Sequence, residues 1–171
     1  TQHLFWIAAL ILLVTAAIAP AENLDWSTVD PALADATYVA NDAICAECHE
    51  DYLAAYGKTR HARAFASGVT GSCESCHGPR SLHVEDPERE AKTWKDLGPA
   101  VQSAVCLQCH DDGDRLHWAA TIHSTSDVSC SSCHMVMERG SDRALMIKED
   151  TTQTCYSCHG EVRGQMQRTS H

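Results

Sequence analysis

Cys45-Ala46-Glu47-Cys48-His49 recurs as Cys73-Glu74-Ser75-Cys76-His77, Cys106-Leu107-Gln108-Cys109-His110, Cys130-Ser131-Ser132-Cys133-His134 and Cys155-Tyr156-Ser157-Cys158-His159. The five copies use all ten cysteines of the chain. Cys-x-x-Cys-His is the attachment signature of c-type haem. Two thiols two residues apart reach the two vinyl groups of one haem, and the adjacent histidine lies under the ring and ligates its iron. Zinc knuckles and redox dithiols also use Cys-x-x-Cys. Five copies, each followed by histidine and with no cysteine left over, point instead to five covalently bound haem c groups and their iron. Thioether bonds consume every thiol, so no disulfide is expected.

The chain has 171 residues, and successive first cysteines stand 28, 33, 24 and 25 residues apart. Such intervals are too short for conventional domains, because an autonomous core without staples or metals needs more than ~40 residues. Aromatic residues are few, with two Phe, four Trp and four Tyr. The expected fold is therefore mostly irregular and α: a multihaem cytochrome c in which short helices and loops wrap five covalently bound haems, with little or no sheet. Without haem the polypeptide is not expected to fold. The formal charge is −10, before any haem propionates. That balance argues against nucleic acid as a partner and suits partners with basic docking patches.

Leu4 to Ala19 is apolar except for Thr15 and is ended by Pro20. Two readings compete. Ala19-Pro20-Ala21 has the small-x-small form of a signal-peptide cleavage site. The run is also slightly shorter than the ~20 residues of a membrane helix, with Trp6 at an interfacial position. The anchor is the preferred reading, giving residues 1–21 as a single N-terminal transmembrane helix. Residues 22–44 are acidic and read as an extended tether, and residues 45–171 as the pentahaem domain. Either reading of the apolar run puts the haem domain outside the cytoplasm, on the periplasmic side.

Of eleven histidines, five belong to the motifs as proximal ligands: His49, His77, His110, His134 and His159. His3 flanks the apolar run. His61, His83, His117, His123 and His171 then supply one distal ligand for each iron. Three of them share a Thr-x-His pattern, Thr59-Arg60-His61, Thr121-Ile122-His123 and Thr169-Ser170-His171, at 12, 13 and 12 residues after a motif histidine. The repeat suggests one unit of motif, short amphipathic helix and ligand. Tyr52, Tyr56 and Trp118 are candidates to pack that helix on a porphyrin face. Gly78 and Pro79 turn the chain before His83. His117 completes the count, although Met135 or Met137 is an alternative axial ligand near His134. Spacing does not say which haem each distal histidine serves.

From Cys45 to His171 the chain resembles two related groups. One is the pentahaem carriers that feed periplasmic nitrite reductase (NrfB-type). The other is the pentahaem halves of the decahaem cytochromes of outer-membrane porin conduits (MtrA/DmsE-type). Cys73-Glu74-Ser75-Cys76-His77-Gly78-Pro79 with His83 carries the likeness, as do Trp118 to His123 and Val128-Ser129-Cys130. Membrane-anchored quinol-oxidising cytochromes of the NapC/NrfH type, with four haems, are read as a separate family.

The resemblance implies electron transfer through low-spin haems without substrate chemistry. The donor would be a quinol-oxidising complex of the cytoplasmic membrane, in which the chain sits as a subunit held to lipid by its N-terminal helix. The acceptor would be an extracytoplasmic carrier or reductase. The alternatives are a multihaem reductase of the nitrite or hydroxylamine type with one open iron, and a soluble pentahaem shuttle.

Overall fold

The computed structural model describes residues 24–68, 73–141 and 144–169. The expected membrane segment, the distal-ligand candidate His171 and His3 lie outside them. Among the described residues no helix is long and apolar enough to cross a membrane.

The architecture is helical and irregular, and no strand occurs among the described residues. The helices are α1 (Trp26–Val29), α2 (Asp42–Cys48), α3 (Glu50–Tyr56), α4 (Arg60–Ala66), α5 (Glu74–His77), α6 (Ser81–Glu85), α7 (Pro99–Leu107), α8 (Ile122–Thr125), α9 (Thr151–Tyr156) and α10 (Gly160–Arg168). Single 3-10 turns at Pro31–Leu33, Trp94–Asp96 and Cys130–Ser132 and a longer one at Gly113–Ala120 complete them. Local chemistry sets the starts. Asp25, Asn41, Thr59, Thr121 and Asp150 each accept a backbone N–H of the first turn they precede, which satisfies donors that a helix cannot pair internally. Pro99 opens α7 at a position where its missing N–H costs nothing.

The stretch read as an extended tether carries α1 and the Pro31–Leu33 turn, and it packs. Trp26 and Leu33 form a buried cluster with Leu97 and Val105, joined by Trp94, Val101 and Cys76. Polar bonds fix the wrap. The buried Asp30 carboxylate accepts the N–H groups of Ala32 (3.1 Å) and Lys92 (2.7 Å), and Lys92 Nζ donates to the Val29 carbonyl. Thr37 and Ser81 bond each other, Thr37 N–H to Ser81 Oγ and Ser81 N–H to the Thr37 carbonyl. Glu74, the first residue between the cysteines of the second motif, is buried and accepts the N–H groups of Val39, Ala40 and Arg80.

Gly78 is required where it stands. Its φ is +77°, and a Cβ there would meet Trp26 Cδ2 at 2.6 Å. Beyond this cluster Leu145 and the Pro79 ring are the other buried apolar side chains among the described residues. Tyr52, Leu116, Ile122 and Met166 are exposed. The polypeptide's apolar groups thus largely fail to cover one another, as expected where a porphyrin supplies the missing surface.

Candidate haem-binding site

Each motif is one helical turn closed by the same bond. The N–H of His49, His77, His110, His134 and His159 donates to the carbonyl of Cys45, Cys73, Cys106, Cys130 and Cys155, at 2.9 to 3.1 Å. Positions i, i+3 and i+4 share one face of such a turn. The two cysteines and the histidine therefore stand on one face of the turn in all five motifs, as attachment of one haem with ligation of its iron demands.

Three distal candidates face three motif histidines. His83 stacks with His49 at 6.2 Å between ring centroids and 26° between planes. His61 lies 5.9 Å from His110 at 77°, and His123 lies 6.2 Å from His159 at 69°. Two imidazoles on opposite sides of one metal, with metal–nitrogen bonds of about 2.0 Å, have centroids about 6 Å apart. Capping places two of the three: Thr59 Oγ1 accepts the Ala62 N–H at the start of α4, and Thr121 Oγ1 accepts the Ser124 N–H at the start of α8. His83 is presented by α6, directly after the Gly78 turn.

The electrostatics suit ligation. Burial pushes the pKa of His61 down, helped by the neighbouring His110, and burial does the same for His77 beside Arg80 and His49. Both rings are thereby held neutral, the form that binds metal. His61 Nδ1 is also buried without a hydrogen-bond partner, a costly state unless a ligand meets the ring. His134 Nδ1 bonds the Ala144 carbonyl at 2.8 Å, the contact that orients a ligating imidazole. These residues fit a haem.

The thiols of successive motifs are neighbours. Sulfur atoms of Cys45 and Cys73 lie within 4.8 Å of each other and of an Asp42 carboxylate oxygen. Behind burial, Cys109 raises the pKa of Cys76, Cys130 that of Cys106, and Cys155 and Cys158 that of Cys133. Burial, with Asp42 and Cys45 alongside, pushes the free Cys73 thiol up to about 12. Burial and Cys130 do the same for Cys106.

Other candidates fall differently. His117 is exposed on the Gly113–Ala120 turn. Trp94 stands edge-on to His77 at 6.4 Å. Met146 pairs with His134 through the backbone in an antiparallel bridge, and the Met135 N–H bonds the Leu145 carbonyl. Tyr52 stands 6.1 Å from its own motif's His49, but Tyr56 turns to the second motif, where burial and the Cys76 and Cys73 thiols push its hydroxyl up to about 12. Sequence reading passed over Glu74, Asp42 and Ser103. The available signal was a polar residue inside, or three residues before, a Cys-x-x-Cys motif.

Repeated one-turn thiol–imidazole motifs with opposed histidines define a multihaem c-type cytochrome. The chain belongs to the NapC/NirT cytochrome c family, whose N-terminal region matches residues 5–169. This overturns the separation from NapC-type cytochromes drawn above: a difference in haem number set them apart, whereas the match runs across all five motifs. Members of this class bind haem c covalently through its iron-ligating motifs and transfer electrons. The chain is also similar to the multiheme cytochrome MtrA of Shewanella baltica, 28% identical over 157 residues, which are 85% of this chain and 46% of that protein. It therefore spans about half the length of that relative. No solved structure matches it.

Proposed function

We propose that the chain is a pentahaem electron-transfer subunit, with bis-histidine ligation at the first, third and fifth haems by His49 and His83, His110 and His61, and His159 and His123. The three ring separations of 5.9 to 6.2 Å carry this reading. The haems supply the one-electron chemistry. The residues hold, orient and tune: ten cysteines attach, the motif histidines ligate, and the opposed histidines close the sixth positions against substrate. His117 and His171 remain for the irons of His77 and His134. The run of neighbouring thiols from Cys45 to Cys158 supports a spatial order of haems that follows the sequence.

The same reading keeps the apolar run at Leu4–Ala19 as a membrane anchor, with the haems on the periplasmic side. The family match, which begins at residue 5, supports it. The donor is a quinol-oxidising membrane complex and the acceptor an extracytoplasmic carrier or reductase.

Intact-mass measurement of purified chain should show five haem additions. In that protein His123→Ala should convert one iron from low to high spin and leave the others low-spin. Retention of every low-spin signal in the variant removes the His123–His159 pair, and fewer than five haems in the parent removes the stoichiometry.

A further inference from the structure

The helices that carry the first and third motifs share a contact with the motif that follows each. Asp42 stands three residues before Cys45, in α2, and Ser103 stands three residues before Cys106, in α7. Asp42 Oδ1 accepts the backbone N–H of Cys73 at 3.0 Å, and Ser103 Oγ accepts that of Cys130 at 3.4 Å. Each acceptor thus takes the same atom of the next motif, the N–H of its first cysteine. That N–H begins a one-turn motif and has no partner inside it. The cap is supplied from a different haem's helix.

We propose that Asp42 and Ser103 are positioning residues that lock the attachment motifs into two fixed pairs, first with second and third with fourth, so that the array is assembled from a repeated two-motif unit. The pairing rests on the pentahaem reading. Three further observations follow the same repeat. Cys45 and Cys73 sulfurs lie within 4.8 Å of each other, and the Cys130 thiol adds to the effect of burial on the Cys106 thiol. Thr59 and Thr121 then cap α4 and α8, which bear His61 and His123. The order of acceptor, motif, capped histidine helix and next motif occurs twice.

The two clamps differ in chemistry. A carboxylate makes the shorter contact in the first. Beside the second, Gln102 holds the same motif, its Oε1 accepting the Ser129 and Ser131 hydroxyls at 2.8 and 2.6 Å. Gln102 Nε2 donates to the Trp94 and Leu97 carbonyls, so that clamp is tied to the buried cluster.

The test uses the full haem-loaded chain, its haem count by mass, and the magnetic coupling between haem pairs by low-temperature EPR. Asp42→Asn keeps an acceptor oxygen and should keep the coupled signal of the first pair. Asp42→Leu should lose that signal while the third–fourth pair retains its own. The exchange variant, Asp42→Ser with Ser103→Asp, should retain both, because carboxylate and hydroxyl both accept the N–H. Five haems with unchanged coupling in Asp42→Leu overturns the clamp and leaves the pentahaem reading intact. Loss of both coupled signals in the exchange variant overturns it equally. Fewer than five haems in the parent overturns the pairing together with the reading beneath it.

Discussion

Trp26, Leu33, Leu97 and Val105 pack on one another beside the second motif, whereas residues 128–169 bury a single apolar side chain, Leu145, among those described. The first region also spends buried polar groups on holding itself together: Asp30 grips Lys92, and Glu74 grips Val39, Ala40 and Arg80. Within itself the later region relies on short local bonds, such as Asp150 capping α9 and the pairing of Met135 with Leu145, and its long-range polar bonds run back to Gln102 and Ser103. The same Cys-x-x-Cys-His turn occurs in both, so the turn itself does not demand a polypeptide core. What differs is how much of the surrounding order comes from the chain and how much must come from the cofactor.

The largest expected effect separates the two regions directly. Against the expectation that nothing folds without haem, cysteine alkylation of haem-free chain near pH 8 should modify Cys155 and Cys158 first and Cys73 and Cys106 last. Burial, with neighbouring groups, raises the pKa of both to about 12. At pH 8 both therefore stay protonated as long as the first region is folded, and thiolate reactivity appears only as pH climbs toward those values. Equal rates at all ten cysteines would show that the first region has no structure of its own.

A smaller effect is expected from Gly78→Ala, which puts a methyl group 2.6 Å from Trp26 at a φ of +77°. The clash and the left-handed backbone together should cost about 2–4 kcal/mol, read as a lower denaturation midpoint with the haem count unchanged. A midpoint equal to the parent's would mean that the Trp26 contact does not hold the second motif. Glu74→Gln comes last. Its side-chain N–H₂ would confront a backbone N–H that the carboxylate now accepts from, for about 1–3 kcal/mol. Because Glu74 sits in the first region, no change is expected in hydrogen exchange at α9 and α10.

Much of the site was legible in the sequence because its determinants are local. A haem motif is a five-residue turn, and the Thr-x-His pattern is a helix cap followed by a histidine, a cap the structure displays at Thr59 and Thr121. The short-helix, strand-poor architecture followed from the motif spacing. Pairing was not legible, since His83 meets His49 and His61 meets His110 only through tertiary turns. Nor was the role of residues 24–44, whose composition is acidic and irregular. Their order comes from single long-range contacts, Trp26 on Gly78 and Asp30 on Lys92, which leave no periodic trace. Glu74 was hidden for a related reason: a position inside the motif that the haem chemistry leaves unspecified carries the anchor for a different segment.

The opposed histidines also have a topological consequence. On the proposed pairing, each iron joins two points of the chain roughly 35 to 50 residues apart and closes a loop as a disulfide does, worth about 3–4 kcal/mol each by the chain-entropy account. The loops bounded by His49 and His83 and by His61 and His110 interleave, because His61 lies within the first loop, and the loop bounded by His123 and His159 interleaves with that of the His134 iron whether His117 or His171 closes it. Opening one cross-link therefore leaves part of its loop still held by another. Acid or a competing ligand that frees one distal histidine should relax the chain only partly, and full release of a segment should need two irons to lose their distal ligands.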